Sequence, residues 1–150
     1  MSFQKHLQPH NLERYAFLWS EIRLVIAAVA LFIGGIPPVL YFFSVPGLYG
    51  ILTFGLKLSW LISGVASVYL LYRWQTGGQK LFGHRDTKDL VAFMVNAVSG
   101  VNLGIVGLLG TNIGMSILSN YAVFVITGLA YLASAAYLYQ RWNAHHQKLF

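Results

Sequence analysis

Cysteine is absent from this sequence, and charged side chains are scarce. Without cysteine the chain has no disulfide framework, no thiolate metal site and no cysteine nucleophile. Only four residues are Asp or Glu, and charged residues of both signs make up 9% of the chain. Hydrophobic residues make up 57%, and the mean hydropathy is +0.61. This composition lies outside the soluble range and predicts an integral membrane protein.

Four hydrophobic runs predict an all-α fold, an integral membrane four-helix bundle. We expect transmembrane spans at about 22–43, 50–72, 90–109 and 120–139, because about 20 apolar residues are needed to cross a bilayer. Residues 1–21 are expected to form a cytoplasmic tail and an interfacial helix start at Leu12, capped by Asn11. Gly34-Gly35 and Pro37-Pro38 predict a kink or a broken last turn in the first span.

The connections between the spans differ in character. Residues 44–47, with the sequence SVPG, are expected to form a turn. The segment Thr111 to Asn120 is either a turn or an extension of the third helix beyond the hydrocarbon. The connection between the second and third spans is polar and rich in Lys and Arg.

One stretch of the chain occurs twice. The segment YLLYRWQTGGQKLF from Tyr69 to Phe82 returns as YLYQRWNAHHQKLF from Tyr137 to Phe150, with eight of fourteen positions identical. We interpret residues 22–83 and 84–150 as two tandem helical hairpins related by a parallel repeat, each ending in an RW-QKLF exit. The alternative is that two unrelated exits converged on similar membrane anchors.

The basic residues follow the positive-inside rule. Nine of the ten Lys and Arg side chains fall on one predicted side of the membrane: Lys5, Arg14, Arg23, Arg73, Lys80, Arg85, Lys88, Arg141 and Lys148. This distribution predicts cytoplasmic N and C termini in a multi-pass protein of the cell membrane. The net charge of +6 indicates attraction to anionic lipid on the cytoplasmic side rather than to nucleic acid.

Small residues form two stripes that favour close helix packing. The first stripe, in the second span, comprises Gly55, Ser59, Ser63 and Ser67. The second, in the third span, comprises Gly100, Gly104, Gly107 and Gly110. Small residues let helix backbones approach in lipid, where apolar burial alone gives no drive to associate. We therefore expect helix contacts along these faces, including contacts with copies of this chain or with a larger membrane complex.

Three polar residues lie within the predicted spans. Lys57 is the only intramembrane charge, and it either snorkels to the interface, anchors a subunit contact or serves a pore or ligand site. Asn96 and Asn102 need hydrogen-bond partners, because hydrocarbon supplies none. They either join helices or line a polar path, although their separation on a helical wheel disfavours a single pore face.

No sequence motif names a reaction. Ala28-Val29-Ala30 has the form of a signal-peptidase site, but the apolar run before it is too short for a signal peptide. The five histidines lie outside the spans without metal-ligand spacing, and no GxSxG sequence is present. Gly77-Gly78 with Lys80 lacks the P-loop spacing. We expect no cofactor and no enzymatic activity.

The exits of the two hairpins carry the predicted interfacial anchors, because tryptophan beside a cation is typical of the membrane surface. These anchors are Arg73, Trp74, Lys80, Arg141, Trp142 and Lys148. The repeated QKLF tail exceeds what an anchor needs, so it is a candidate docking surface for a partner or for its other copy. The favoured function is a structural or assembly subunit. The alternative is an oligomeric channel or small transporter with a path near Lys57, Asn96 and Asn102.

Overall fold

The computed structural model describes residues 8–43, 45–117 and 119–150, and over these residues the chain is all-α. The helices are α1 (Pro9–Phe32), α2 (Pro38–Phe42), α3 (Tyr49–Thr76), α4 (Thr87–Leu109), α5 (Ile113–Ile117) and α6 (Tyr121–Ala144). The four long helices, α1, α3, α4 and α6, are each long and apolar enough to cross a membrane. The chain is therefore a multi-pass membrane protein with four candidate spans.

The long helices begin at residues that suit helix starts. The cap of α1 is Gln8, and Pro9 occupies the first turn, where its missing N–H costs nothing. The predicted start at Leu12 with an Asn11 cap was therefore wrong by three residues. Two other helices have side-chain caps: Asp86 accepts a hydrogen bond from the Lys88 backbone N–H over 2.6 Å at the start of α4, and Asn120 caps α6.

The predicted interruption of the first hydrophobic run is confirmed. The helix is broken at Gly34 and Gly35 rather than at the prolines. Helix α1 ends at Phe32, and Gly34 and Gly35 follow with φ of +86° and +84°, a conformation that L side chains rarely adopt. Pro38 then starts the short helix α2. The segment after α4 also holds a short helix, α5, rather than a plain turn. Of the turn predicted at 44–47, residue 44 lies outside the described residues.

Long helices that follow one another in the chain run in opposite directions. Helices α1 and α4 contact each other, and each also contacts α3 and α6. The Tyr69 hydroxyl at the end of α3 reaches the Pro9 carbonyl at the start of α1, and the Tyr121 hydroxyl donates to the Phe32 carbonyl. One end of the bundle thus holds the starts of α1 and α4 and the ends of α3 and α6. We call it the basic end, and the opposite end, with α2 and α5, the open end.

Glycines bring α3 and α4 into backbone contact. A Cβ atom added to Gly64 would lie 2.6 Å from the Cα atom of Gly104, and one added to Gly100 would collide with Ser67. Farther along, Gly107 packs against Leu61. Such close approach is the usual way helices associate in lipid. The glycine face of α4 is therefore occupied within the chain.

A hydrophobic cluster fills the basic end. Its buried members come from all four long helices and from both exit segments: Phe17, Leu70, Leu81, Phe82, Ala92, Phe93, Leu138, Trp142 and Leu149. Ring contacts add specific geometry, with the centroids of Phe17 and Trp142 lying 5.3 Å apart. This cluster is where the helix ends and the exits meet.

The two RW-QKLF exits leave their helices by the same turn. In each, the backbone N–H of the first tail residue donates to the carbonyl of the tryptophan five residues earlier, Gln79 to Trp74 and Gln147 to Trp142, both over 2.9 Å. Gln79 and Gln147 both have positive φ, +59° and +61°. The structural similarity is thus seen in the two exit segments. The tandem repeat of whole hairpins stays a prediction.

The QKLF tails pack on each other. Leu81 and Leu149, the leucines of the two copies, are both buried, and the Phe82 backbone N–H donates to the Leu149 carbonyl over 2.8 Å. Phe150 stands edge-on to Phe93 of α4, with ring centroids 6.1 Å apart. The tail at the end of the chain therefore covers the basic end of the bundle.

Candidate functional site

A polar network lies inside the bundle at its middle. The Arg23 side chain of α1 is buried, and its Nη1 donates to the Ser99 Oγ over 2.6 Å. Its Nη2 donates to the Oδ1 and the backbone carbonyl of Asn96, over 2.5 and 2.9 Å. The Asn96 Nδ2 in turn donates to the Glu21 Oε1 over 2.6 Å. Glu21, Arg23, Asn96 and Ser99 form what we call the polar network.

The polar network is deep in the candidate spans. Arg23 lies 14 residues after Pro9, which places it about 21 Å along α1 at 1.5 Å per residue. Asn96 lies seven residues beyond Asp89, about 10 Å deeper in α4. A charge at such depth is expensive in a membrane, and it faces the bundle interior or a cavity when it occurs.

The network leaves polar atoms without partners. Among the described residues, the buried Nε of Arg23 and Oε2 of Glu21 make no hydrogen bond, nor does the neighbouring Ser20 hydroxyl. All hydrogen bonds that the Arg23 guanidinium makes go to neutral groups, because the Glu21 carboxylate is held by the Asn96 amide. Unsatisfied buried polar atoms are uncommon and call for an explanation such as a ligand.

An interior cavity of about 680 Å³ extends from this network toward the open end. All four long helices contribute to its walls, which are mostly aliphatic and aromatic. Besides Arg23, the polar side chains that line it are Ser59, Ser99, Asn102, Asn112, Thr127 and Tyr131. An apolar pocket of this volume with a few convergent polar groups is typical of small-molecule sites.

The predicted path residues do not share one surface. Asn96 belongs to the polar network and does not line the cavity, whereas Asn102 does line it and donates its Nδ2 to the Asn112 Oδ1 over 3.0 Å. Lys57 is exposed on the outside of α3, away from the cavity lining. Asn96 bonds to Arg23, which lines the cavity together with Ser99 and Asn102, so the two asparagines lie in the same region. Lys57 lies apart from them.

The predicted packing residues have different environments. Ser63 and Ser67 are fully buried, Ser59 is half-buried, and Gly55 is exposed with open space beside its Cα atom. The Ser63 hydroxyl also accepts a hydrogen bond from the Trp19 indole over 3.0 Å. On α4, Gly100, Gly104 and Gly107 face α3, while Gly110 ends the helix with φ of +71°.

The predicted anchors include two ion-paired arginines at the basic end. Arg141 makes a two-pronged contact with the fully buried Asp89, at 2.8 and 2.9 Å, and Tyr137 donates to the same carboxylate. Arg73 pairs with the buried Glu13. These groups hold helix ends together: Asp89 joins α4 to α6, and the Glu13 pair joins α1 to α3.

The other predicted anchors divide by type. The tryptophans lie among helices, with Trp142 only 3% exposed and Trp74 half-buried against Phe93. Lys80 and Lys148 are exposed. Headgroup contact is thus available to the lysines, while Trp142 is a core residue in this structure.

No metal site is visible in the part of the chain that the structure describes, since no three His, Asp or Glu side chains come together there. His84 and His145 approach with ring centroids 6.4 Å apart at the basic end, and the His145 Nδ1–H donates to the Arg141 carbonyl over 2.8 Å. These contacts are local to the exit turn and do not reach the cavity.

Sequence reasoning missed the two charged residues that matter most here. Arg23 was counted among the basic residues of the cytoplasmic side and Glu21 was given no role, whereas the structure buries both in the bundle. A usable signal existed: Ser20, Glu21 and Arg23 give α1 a polar patch, and Asn96 and Ser99 give α4 another. Two polar patches at one depth of an apolar bundle favour a mutual contact.

Comparison with protein-family models, with curated proteins and with solved structures finds no significant match. The cavity and the polar network are therefore the features from which a function can be inferred.

Proposed function

We propose that this non-enzymatic membrane protein binds a small, largely apolar molecule in its interior cavity, as a small transporter does. The observation that carries the proposal is the cavity of about 680 Å³ between all four long helices, with polar groups gathered around Arg23 and Asn102. Pockets of about 300–1,000 Å³ hold drug-sized ligands. Of the residues that the sequence suggested for a path, Asn102 lines this cavity and Lys57 lies outside it.

The scarcity of acid–base groups around the cavity, where Tyr131 is the one such side chain among the described residues, supports binding without chemistry. Within the described part of the chain, the lining contains no histidine, carboxylate or lysine. General acid–base catalysis needs such a group within hydrogen-bond reach of the substrate. The cavity is therefore suited to hold and release a molecule.

The chain's four tryptophans offer a direct test of cavity binding. Trp19 and Trp60 line the cavity, while Trp74 and Trp142 lie at the basic end. In a variant carrying Trp74→Phe and Trp142→Phe, emission comes from the cavity pair alone. The purified variant in lipid nanodiscs is titrated with a dibrominated long-chain alcohol, whose bromines quench tryptophan on contact.

We expect saturable quenching, which shows a finite site rather than partition into the bilayer. The matched control adds Ala30→Phe, which fills the cavity wall, and should lose the saturable component. A second control, Val65→Phe, places the same ring on an exposed face of α3 and should retain it. Quenching that is linear and equal in all three variants would refute cavity binding.

A structural or assembly subunit is the second candidate, and the exposed face of α3 favours it. Gly55 has open space around it, and the exposed Ile51 and Leu58 share its face, so this face can accept another helix. Much of the small-residue surface that suggested self-association instead joins α3 to α4 inside the chain. For that reason we place this candidate second.

The oligomeric state in nanodiscs tests the second candidate. Gly55→Leu would block close approach of another helix on this face. Lys57→Leu alters the opposite face of α3 and is the matched control. A multimer that Gly55→Leu dissolves and Lys57→Leu leaves intact would support an assembly role. A monomer, or a multimer that Gly55→Leu leaves unchanged, would remove the role of this face.

We also propose that the basic end faces the cytoplasm and contacts anionic lipid there. Among the described residues, Arg14, Arg73, Arg85, Lys88 and Lys148 all lie at this end. Because the chain lacks cysteine, single cysteines can report sidedness. In intact cells an impermeant maleimide should label Val45→Cys and spare Lys80→Cys, and the reverse pattern would overturn the orientation.

A further inference from the structure

We infer that the molecule held in the cavity carries an anionic head group, and that Arg23 binds it. This inference rests on the proposed binding function and adds the chemical class of ligand: a single-chain amphiphile ending in a carboxylate. The structural basis is the position of Arg23 at the junction of the polar network and the apolar cavity.

Arg23 has donor capacity left for a ligand. A guanidinium carries five N–H donors. Three hydrogen bonds from its two terminal nitrogens go to Ser99 and Asn96, and its Nε–H has no partner among the described residues. The side chain is only 5% exposed and lines the cavity. One N–H of Nη1 is also unused, whereas the Nε atom has no exposed surface and is reached by a carboxylate only if the side chain turns.

The charge around Arg23 also favours an anion. Its hydrogen-bond partners, Ser99 and Asn96, are neutral. The Glu21 carboxylate attracts the guanidinium electrostatically but is hydrogen-bonded to the Asn96 amide and makes no ion pair with Arg23. Glu21 does not line the cavity, so its carboxylate does not occupy the space facing Arg23. A buried cation is stabilised by a hydrogen-bonded anion, and the cavity offers room for one. Tyr131 of α6 lines the same space and presents a hydroxyl to an incoming head group.

The rest of the cavity selects an apolar body. From Arg23 toward the open end the walls include Ile26, Leu31, Leu103 and Phe124. Its volume of about 680 Å³ suits one ligand of drug size. A diacyl phospholipid is too large to enter whole, so the geometry selects one chain with its head at Arg23 and its tail toward the open end.

The test compares two probes of equal chain length in the tryptophan variant described above. One is a dibrominated long-chain carboxylate and the other is the matching alcohol, both used at about pH 8.5, well above the ordinary carboxyl pKa. We expect the carboxylate to reach half-saturation at a concentration about tenfold or more below that of the alcohol, as a charge-assisted hydrogen bond provides.

The possible outcomes distinguish a failure of this inference from a failure of the proposed cavity binding. Saturable quenching by both probes at equal concentration would overturn the anionic head group and leave cavity binding intact. Absence of saturable quenching by either probe would overturn both. Because this comparison uses one protein, it decides the matter even where a substitution at Arg23 prevents folding.

Substitutions then show which residue is responsible for the preference for the carboxylate probe over the alcohol. Arg23→Gln should abolish the difference between the probes, and Arg23→Lys should retain part of it, since lysine keeps the charge but not the planar donor pair. Lys57→Gln removes an equal charge from the outside of α3 and should leave the difference unchanged. A difference lost in Lys57→Gln and kept in Arg23→Gln would place the anion elsewhere.

A third probe distinguishes a free amphiphile from bilayer lipid. Phosphatidylglycerol with brominated acyl chains, incorporated into the nanodisc, presents an anionic head on two chains. We expect it to quench the cavity tryptophans no more in the wild-type cavity than in Ala30→Phe. Quenching by this lipid that Ala30→Phe removes would overturn the single-chain assignment and identify a lipid head group as the ligand.

Discussion

The two ends of the bundle solve the problem of holding membrane helices together in different ways. At the basic end, the helix termini are joined by ion pairs, by an aromatic cluster and by the paired QKLF tails. At the open end, α1 and α4 stop at glycines, two short helices follow, and a cavity of about 680 Å³ remains between the long helices. The basic end is closely packed, whereas the open end has a cavity large enough for a ligand.

The difference follows from which residues each end carries. Charged groups and aromatic rings gather where helices meet polar surroundings, and their directional contacts fix the helix ends against each other. Glycines with positive φ interrupt α1 and α4 at the open end, so the chain leaves the bundle axis before filling it. We expect substitutions at the basic end to cost stability and those around the cavity to alter binding.

The largest effect is expected from breaking the Asp89 ion pair at the basic end. Asp89→Asn should lower the free energy of unfolding by about 3 kcal/mol, because Arg141 loses a buried carboxylate partner. Unfolding in mixed micelles, followed by circular dichroism, measures the loss. Asp86→Asn is the matched control: Asp86 is exposed and caps α4, and asparagine caps a helix equally well. Equal losses in the two variants would refute a special role for the Asp89 pair.

The next largest effect is expected from the buried leucine of the terminal QKLF tail. Leu149→Ala should cost about 2–3 kcal/mol, because Leu149 is 3% exposed within the closed cluster. The same substitution at Leu109, which is 74% exposed at the open end, should change stability by about 0.5 kcal/mol or less. Thermal unfolding of both variants in detergent gives the comparison. A larger loss at Leu109 would contradict the assignment of the closed and open ends.

The contact between α3 and α4 should show an intermediate effect. Gly104→Ala places a methyl group against the backbone of Gly64 and should cost about 2 kcal/mol through overpacking. Gly55→Ala, where no atom lies within contact distance, should be neutral or slightly stabilising because alanine favours helix. The same unfolding assay applies, and a neutral Gly104→Ala would show that the helices separate without penalty.

The smallest effect on stability is expected at the cavity wall. Ala27→Leu extends a side chain into empty space and should change the free energy of unfolding by about 0.5 kcal/mol or less. Ala92→Leu, at a buried alanine of the basic-end cluster, should cost about 1–3 kcal/mol. The unfolding transitions of the pair compare cavity with core directly. Equal cost at both positions would mean that the cavity does not accept added volume.

Much of the fold could be predicted from the sequence because hydropathy and length are local properties. The four hydrophobic runs predicted four long helices, and each run overlaps one in the structure. The first overlap is partial, because Pro9–Phe32 covers only residues 22–32 of the run expected at 22–43. The ends were less predictable: α3 continues to Thr76 and α6 to Ala144, beyond the apolar stretches. Helical hydrogen bonding does not stop where apolar residues stop, so hydropathy marks the span better than the helix.

The candidate site was only partly predictable. Asn96 and Asn102 were recognised because polar side chains in hydrocarbon need partners, and both have partners in the structure. Arg23 was counted only among the basic residues of the cytoplasmic side. Its true environment depends on the rotation of α1 against α4, which no short stretch of sequence encodes.

The sequence by itself determined the solvent of this protein and the number of its long helices, because transfer of apolar residues into lipid depends on composition alone. It also indicated that most Lys and Arg would gather at one end: seven of the nine among the described residues lie at the basic end, and Arg23 and Lys57 do not. Only the tertiary structure decided that Arg23 faces inward and that a cavity lies beside it. Both depend on contacts between residues more than 70 positions apart, as in the hydrogen bonds from Arg23 to Asn96 and Ser99.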